Sequence, residues 1–138
     1  MVPRLSDFEG RWLISRVIRP AGAPEGVFQG HALFRRDQAR LLYHEQGELV
    51  LPGHDPMRAE RRYLWRRGGR GIAVDYADGR PFHDFDPADP QAQHWCDPDD
   101  YRVRYDFSRW PEWRAEWVVR GPRKDYAMVS DYRPSDAA

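Results

Sequence analysis

The sequence predicts an all-β fold: one antiparallel up-and-down barrel of about nine or ten strands, filling residues 1–138 as a single domain. Three observations predict it. Apolar and polar residues alternate with a period of two over run after run, the pattern of strands half-buried in an antiparallel sheet. Clusters of Gly, Pro and Asp separate the runs at short, even spacing. No segment carries a sustained helical period, and closure into a barrel is what spares such strands an exposed edge.

The elements follow in chain order. "FEG" at 8–10 closes a helical turn that Ser6 or Asp7 is placed to cap. "RWLISRVIR" puts Trp12, Ile14, Arg16 and Ile18 on one face. "VFQGHALFRR" turns Phe28, Ala32 and Phe34 one way, and Gln29, His31 and Arg35 the other. "LLYHEQGEL" aligns Leu41 and Tyr43 with Glu45. In "MRAERRYLWRR", Met57, Ala59, Arg61, Tyr63 and Trp65 oppose Arg58, Glu60, Arg62 and Arg66. "YRVRYDF" sets Tyr101, Val103, Tyr105 and Phe107 against Arg102, Arg104 and Asp106, and "EWRAEWVVR" sets Trp113, Ala115, Trp117 and Val119 against Arg114, Glu116 and Arg120. The reversals fall at "PAGAPEG" (20–26), "LPGHDP" (51–56), "RRGGRG" (66–71), "ADGRP" (77–81), "CDPDD" (96–100), "SRWP" (108–111) and "RGPRK" (120–124). The last five residues, "PSDAA" at 134–138, are expected to fray.

Composition narrows the function classes. A chain of 138 residues is long enough to bury a core without metals or disulfides. Basic and acidic residues number 22 each, so no general attraction to nucleic acid or to an anionic membrane follows. The basic side is nearly all arginine, with Lys124 the one lysine. A single cysteine, Cys96, permits no internal disulfide and gives no sign of an oxidising compartment. With neither a signal-peptide core nor a membrane-length apolar run, the expectation is a cytoplasmic protein with no membrane or nucleic-acid partner; a homodimer is left open.

"FEGRW", from Phe8 to Trp12, resembles the Gly-x-Trp signature of the calycins, the superfamily of lipocalins and fatty-acid-binding proteins. The resemblance implies that Gly10 and Trp12 open the first strand, and that Trp12 closes one barrel end against an arginine of the last strand, here Arg133. The chain lacks a lipocalin's C-terminal helix, and "PAGAPEG" is too short for a helical lid. It is nearer to compact lidless barrels such as the nitrobindins, some of which hold haem through a histidine. Over nearly its full length, through "LLYHEQGEL", "RAERRYLW", "ADGRPFHDF", "YRVRYDFSRWPEWR" and "VRGPRKDYAMVSDYR", the sequence also resembles a bacterial family of unknown function.

Candidate site residues are those that break the apolar faces. Arg16, Glu45 and Arg61 fall on inward parity, where a charge costs several kcal/mol unless paired. They are expected to pair across neighbouring strands or to face a wet cavity and orient a polar ligand head. Tyr43, Tyr63 and Trp65 would line that cavity, with His83 and Tyr105 near its mouth. His83 and Asp84 are adjacent and so should point to opposite faces of a strand; Asp84 then cannot orient His83 as in a triad unless the strand bulges. Phe82 is expected to share Asp84's face. "HWC" puts His94 and Cys96 on one face; with His83 they are a conceivable zinc or haem set, although the spacing matches no usual zinc site. Cys96 otherwise reads as a small buried hydrophobe. The aromatics look inward, while arginines alternate with acids outside as in cross-strand ion-pair ladders, so stacking on single-stranded bases is not favoured. The preferred reading is non-covalent binding of a small apolar or amphipathic molecule, with no cofactor predicted. Two alternatives stay open: an enzyme using the same pocket with His83 or Glu45 as general base, and a structural or interaction domain whose barrel is filled by its own side chains.

Overall fold

The computed structural model describes residues 1–135. A short 3-10 helix, Leu5–Phe8, precedes ten strands: β1 Gly10–Pro20, β2 Gly26–Asp37, β3 Arg40–Val50, β4 Met57–Gly68, β5 Gly71–Tyr76, β6 Pro81–Phe85, β7 Gln91–Cys96, β8 Asp99–Asp106, β9 Trp113–Arg120 and β10 Asp125–Pro134. All pairings are antiparallel, and the sheet runs β6-β5-β4-β3-β2-β1-β10-β9-β8-β7. The first and last strands therefore lie together at the sheet's centre, paired from Trp12↔Pro134 to Pro20↔Tyr126. The sheet's two ends, β6 and β7, meet at a seam bridged by a single backbone pair, Asp86↔Asp89. The result is an up-and-down, nearly closed, calycin-like barrel.

The alternation sorts side chains as expected: Trp12, Ile14 and Arg16 are buried on β1, Phe28, Ala32 and Phe34 on β2, and Leu41, Tyr43 and Glu45 on β3. One barrel end is solid. Phe8, fully buried, brings its ring centroid within 4.9–5.7 Å of five others: Phe34, Trp65, Phe107, Trp110 and Trp113. Such ring pairs add about 0.5–1.5 kcal/mol each beyond the area they bury. The helical turn that delivers Phe8 starts at Leu5, earlier than Ser6 or Asp7; Asp7 acts from inside it, its carboxylate accepting the Arg4 backbone N–H at 2.7 Å.

Several expectations need correction. Arg133 does not stack on Trp12. Register places it opposite Leu13, on the outward face, where it is exposed. Trp12 instead donates its indole N–H to the Phe8 carbonyl at 2.9 Å and packs against Trp110 and Trp113. The helical turn and Trp110 close this end, so no arginine is needed there. Gly10 does open β1, with φ of +127°, a conformation that disfavours any side chain. Of the tail expected to fray, Pro134 still belongs to β10 and the Ser135 N–H donates to the Arg11 carbonyl at 3.0 Å; residues 136–138 lie outside the described residues. Cys96 is exposed at the end of its edge strand, and the neighbouring Trp95 points outward, 60% exposed.

Two local devices shape the barrel wall. Gly30 on β2 and Gly47 on β3 face each other in register, and a Cβ built on either would fall 2.2 Å from a carbonyl oxygen of the opposite strand. Only glycine permits that approach. Between β5 and β6 the register shifts at Val74/Asp75: Val74 pairs with His83 but Asp75 pairs with Pro81. Phe82 is the extra residue, and such a bulge re-aims side chains.

Candidate functional site

Opposite the solid end the barrel is hollow. A cavity of about 200 Å³ lies among β1, β3–β6 and β8–β10. Its lining includes all eight residues singled out from the sequence as ligand-facing. The filled-barrel alternative thus holds for one end of the interior and not for the other.

The cavity's polar wall is a closed network. Arg16 gives two parallel hydrogen bonds to Glu45, Nη1 to Oε2 at 2.7 Å and Nη2 to Oε1 at 2.9 Å, and its Nε donates to Ser130 Oγ at 2.7 Å. Its guanidinium also lies 5.0 Å from the Phe28 ring centroid. Tyr43 donates its hydroxyl to Glu45 and sits 2.9 Å from the Tyr132 hydroxyl. Burial works against both charges, but each partner outweighs it for the other. The Arg16 bonds and charge hold the Glu45 carboxyl below its ordinary pKa, and the Glu45 bonds and charge raise that of Arg16. Burial, with the negative charge nearby, keeps the Tyr43 hydroxyl protonated well above its usual range. Removing one member of such a buried pair typically costs about 3–5 kcal/mol.

Arg61 departs from expectation. It stands directly across from Glu45 in register, yet it is exposed. Arg16 has taken both Glu45 oxygens; the Arg61 charge still helps hold the Glu45 carboxyl low, and its guanidinium meets the Met128 sulfur at 4.0 Å. Arg61 is inward by parity but lies at the rim, where the barrel opens.

His83 and Asp84 diverge. Asp84 turns outward to Arg70, Oδ1 accepting from Nε at 2.7 Å, and that bond first of all holds its carboxyl below the usual pKa. His83 turns inward, its Nε2 2.9 Å from the Tyr105 hydroxyl. Phe82 does not share Asp84's face: the bulge swings it into the core, 7% exposed. Burial lowers the His83 pKa to about 3, helped by nearby His94, so the ring is neutral near pH 7. Its Nδ1 is shut off from solvent with no hydrogen-bond partner, and so is the Trp113 indole nitrogen; both residues line the cavity.

The chemistry open to these groups is limited. A general base works best with a pKa near the operating pH; Glu45 is held acidic by Arg16, and His83 resists protonation. Cys96 is exposed, and among the described residues no three His, Cys, Asp or Glu side chains are grouped to hold an ion. The sequence reading missed the wall's flat stack. Phe82 lies nearly parallel to Tyr76 (4.6 Å, 18°), Trp117 (5.3 Å, 12°) and Tyr63 (5.9 Å, 23°). Trp117 was legible from its inward parity; Phe82 was hidden by the bulge. Tyr126, Met128, Ser130 and Tyr132 share one parity in "DYAMVSDYR" and carried the same signal. A larger recess of about 790 Å³ lies against outward positions of β1, β2, β9 and β10 and includes Arg133; charges there pair locally, as in Arg114 with Asp131 at 2.7 Å.

The family model described as "Family of unknown function (DUF6314)" matches residues 8–134, the stretch from Phe8 at the solid end to Pro134 at the end of β10. The chain belongs to the DUF6314 family. A search of curated proteins finds no match. Among solved structures, the DUF6314 barrel is similar to an S-type phycobiliprotein lyase from Guillardia theta, with a TM-score of 0.70 and 8% sequence identity, covering 97% of this chain and 92% of that one. At that identity the likeness is one of fold. No helix among the described residues is long and apolar enough to cross a membrane.

Proposed function

We propose that this barrel binds a small amphipathic molecule non-covalently in its hollow end. The observation that carries this reading is a partly open cavity of about 200 Å³ with aromatic walls, lined on one side by the Arg16–Glu45 network and at its rim by the exposed Arg61. The fold neighbour is named for an activity on phycobiliproteins, and it is compatible with a barrel of this shape serving a bound molecule.

The test is to fill the cavity. Ala115 lies on its wall and is buried, so Ala115→Phe occupies ligand space; overpacking costs about 1–3 kcal/mol. Native mass spectrometry of the wild type is expected to show an adduct of small mass that Ala115→Phe lacks, with the circular dichroism of both proteins the same. A wild-type protein that carries no adduct and gains no thermal stability from any compound of a small-molecule panel would overturn the reading.

A further inference from the structure

Resting on that reading, we propose that the cavity selects a planar aromatic carboxylate of one or two rings, with the ring against the flat side chains and the carboxylate on Arg61 at the mouth. Three independent features converge on this class. The first is size. An apolar cavity of about 150 Å³ accommodates benzene; about 200 Å³ here admits a single ring with a short substituent or two fused rings, and it is too small for a long acyl chain or a large chromophore to be fully enclosed.

Shape is the second feature. Tyr63, Tyr76 and Trp117 all lie within 23° of the Phe82 plane. At centroid spacings of 4.6–5.9 Å these rings stack on one another and leave no room between them; a ligand ring would pack against the aromatic wall they form, a ring–ring contact that a flexible chain cannot make. Charge is the third. The inward-facing arginines share one carboxylate: Arg16 takes its hydrogen bonds, while Arg61, opposite it in register, acts on it only through charge. Arg61 has no carboxylate within ion-pair distance among the described residues, and its planar fork suits a carboxylate. An entering anion would supply the missing partner at the rim, where a charge need not be fully desolvated.

Three probes separate the claims: 2-naphthoate, 2-naphthylmethanol and octanoate, titrated by tryptophan fluorescence and calorimetry against wild type, Arg61→Gln and Ala115→Phe. Naphthoate is expected to bind wild type at least about ten-fold more tightly than either of the others, a charge-assisted pair being worth that much, and to be weakened by salt. Arg61→Gln should bring naphthoate to the level of the alcohol and leave the alcohol unchanged; Arg61 is exposed, so the fold should stand, and circular dichroism checks it. If the alcohol binds as tightly as naphthoate, or if Arg61→Gln leaves their ratio intact, the carboxylate assignment fails while cavity binding stands. Octanoate binding as tightly as naphthoate removes the aromatic requirement. If no probe binds wild type better than Ala115→Phe, the aromatic-carboxylate proposal falls, and the adduct and panel tests above decide the binding reading.

Discussion

At the scale of single residues, His83 carries a measurable pH signature. Its folded pKa is about 3 against 6.5 unperturbed, with burial the main cause. Above pH 6.5 the ring is neutral in both folded and unfolded chains and pH has no leverage. Between pH 6.5 and about 3 the unfolded chain takes a proton that the folded protein refuses, so stability must fall as pH falls through that window. Each unit of displacement is worth about 1.4 kcal/mol. His94 is displaced the same way by burial, while the lowered carboxyls of Glu45 and Asp84 begin from 4.5 and 3.8 and act only at the acid end. Urea midpoints recorded from pH 7 to 5 are therefore expected to decline for wild type, and to decline less for His83→Gln; parallel curves would mean that His83 reaches solvent. Parity made Arg16, Glu45 and His83 readable as inward residues. It could not read depth: Arg61 obeys the same alternation and yet sits at the rim, because alternation reports a face of the sheet and not a height along the barrel axis.

At the scale of elements, the turn clusters and the period-two runs placed all the long strands, since a half-buried strand needs nothing beyond local pattern to be recognised. What escaped was whatever depends on a partner strand. Arg133 was correctly assigned to the last strand, but only the β1–β10 register shows that it meets Leu13 and not Trp12. The β5–β6 bulge is likewise invisible until Val74 and His83 are seen paired with Phe82 unmatched. The facing glycines of β2 and β3 are a further case, and they allow a test with an informative sign. Gly→Ala within an ordinary strand gains about 0.5–1 kcal/mol through chain entropy. At Gly47 the new methyl would instead meet the Gln29 carbonyl oxygen at 2.2 Å, and backbone cannot yield as a flexible side chain does. Gly47→Ala is expected to lower the urea midpoint, by about 1–3 kcal/mol in stability; a midpoint equal to wild type or above it would show that the two strands have room between them.

At the scale of the whole molecule, the interior divides into a solid aromatic end and a hollow polar-walled end, with the Arg16–Glu45 network where the hollow begins. The outer surface is tied by cross-strand ion pairs such as Arg66–Asp75 at 2.8 Å and Arg70–Asp84 at 2.7 Å, each worth little alone where exposed. The seam between β6 and β7 has a consequence for how the chain can be cut. The first and last strands are stitched together near the sheet's centre, while the β6–β7 loop lies at the sheet's two margins. A break in the loop after Asp86 would sever one covalent link and no ladder. Strands β1–β6 would remain one meander and β7–β10 another, joined by the nine register pairs of β1 with β10. Fragments covering 1–87 and 88–138, expressed together, are therefore expected to co-purify in one-to-one stoichiometry with the intact protein's circular dichroism; recovery of either fragment alone, unfolded, would show that the seam bears more of the fold than its single bridge suggests. The barrel is in this sense two half-shells hinged along their terminal strands, and the line where they meet opposite the hinge runs beside the bulged Phe82 and the unsatisfied nitrogen of His83.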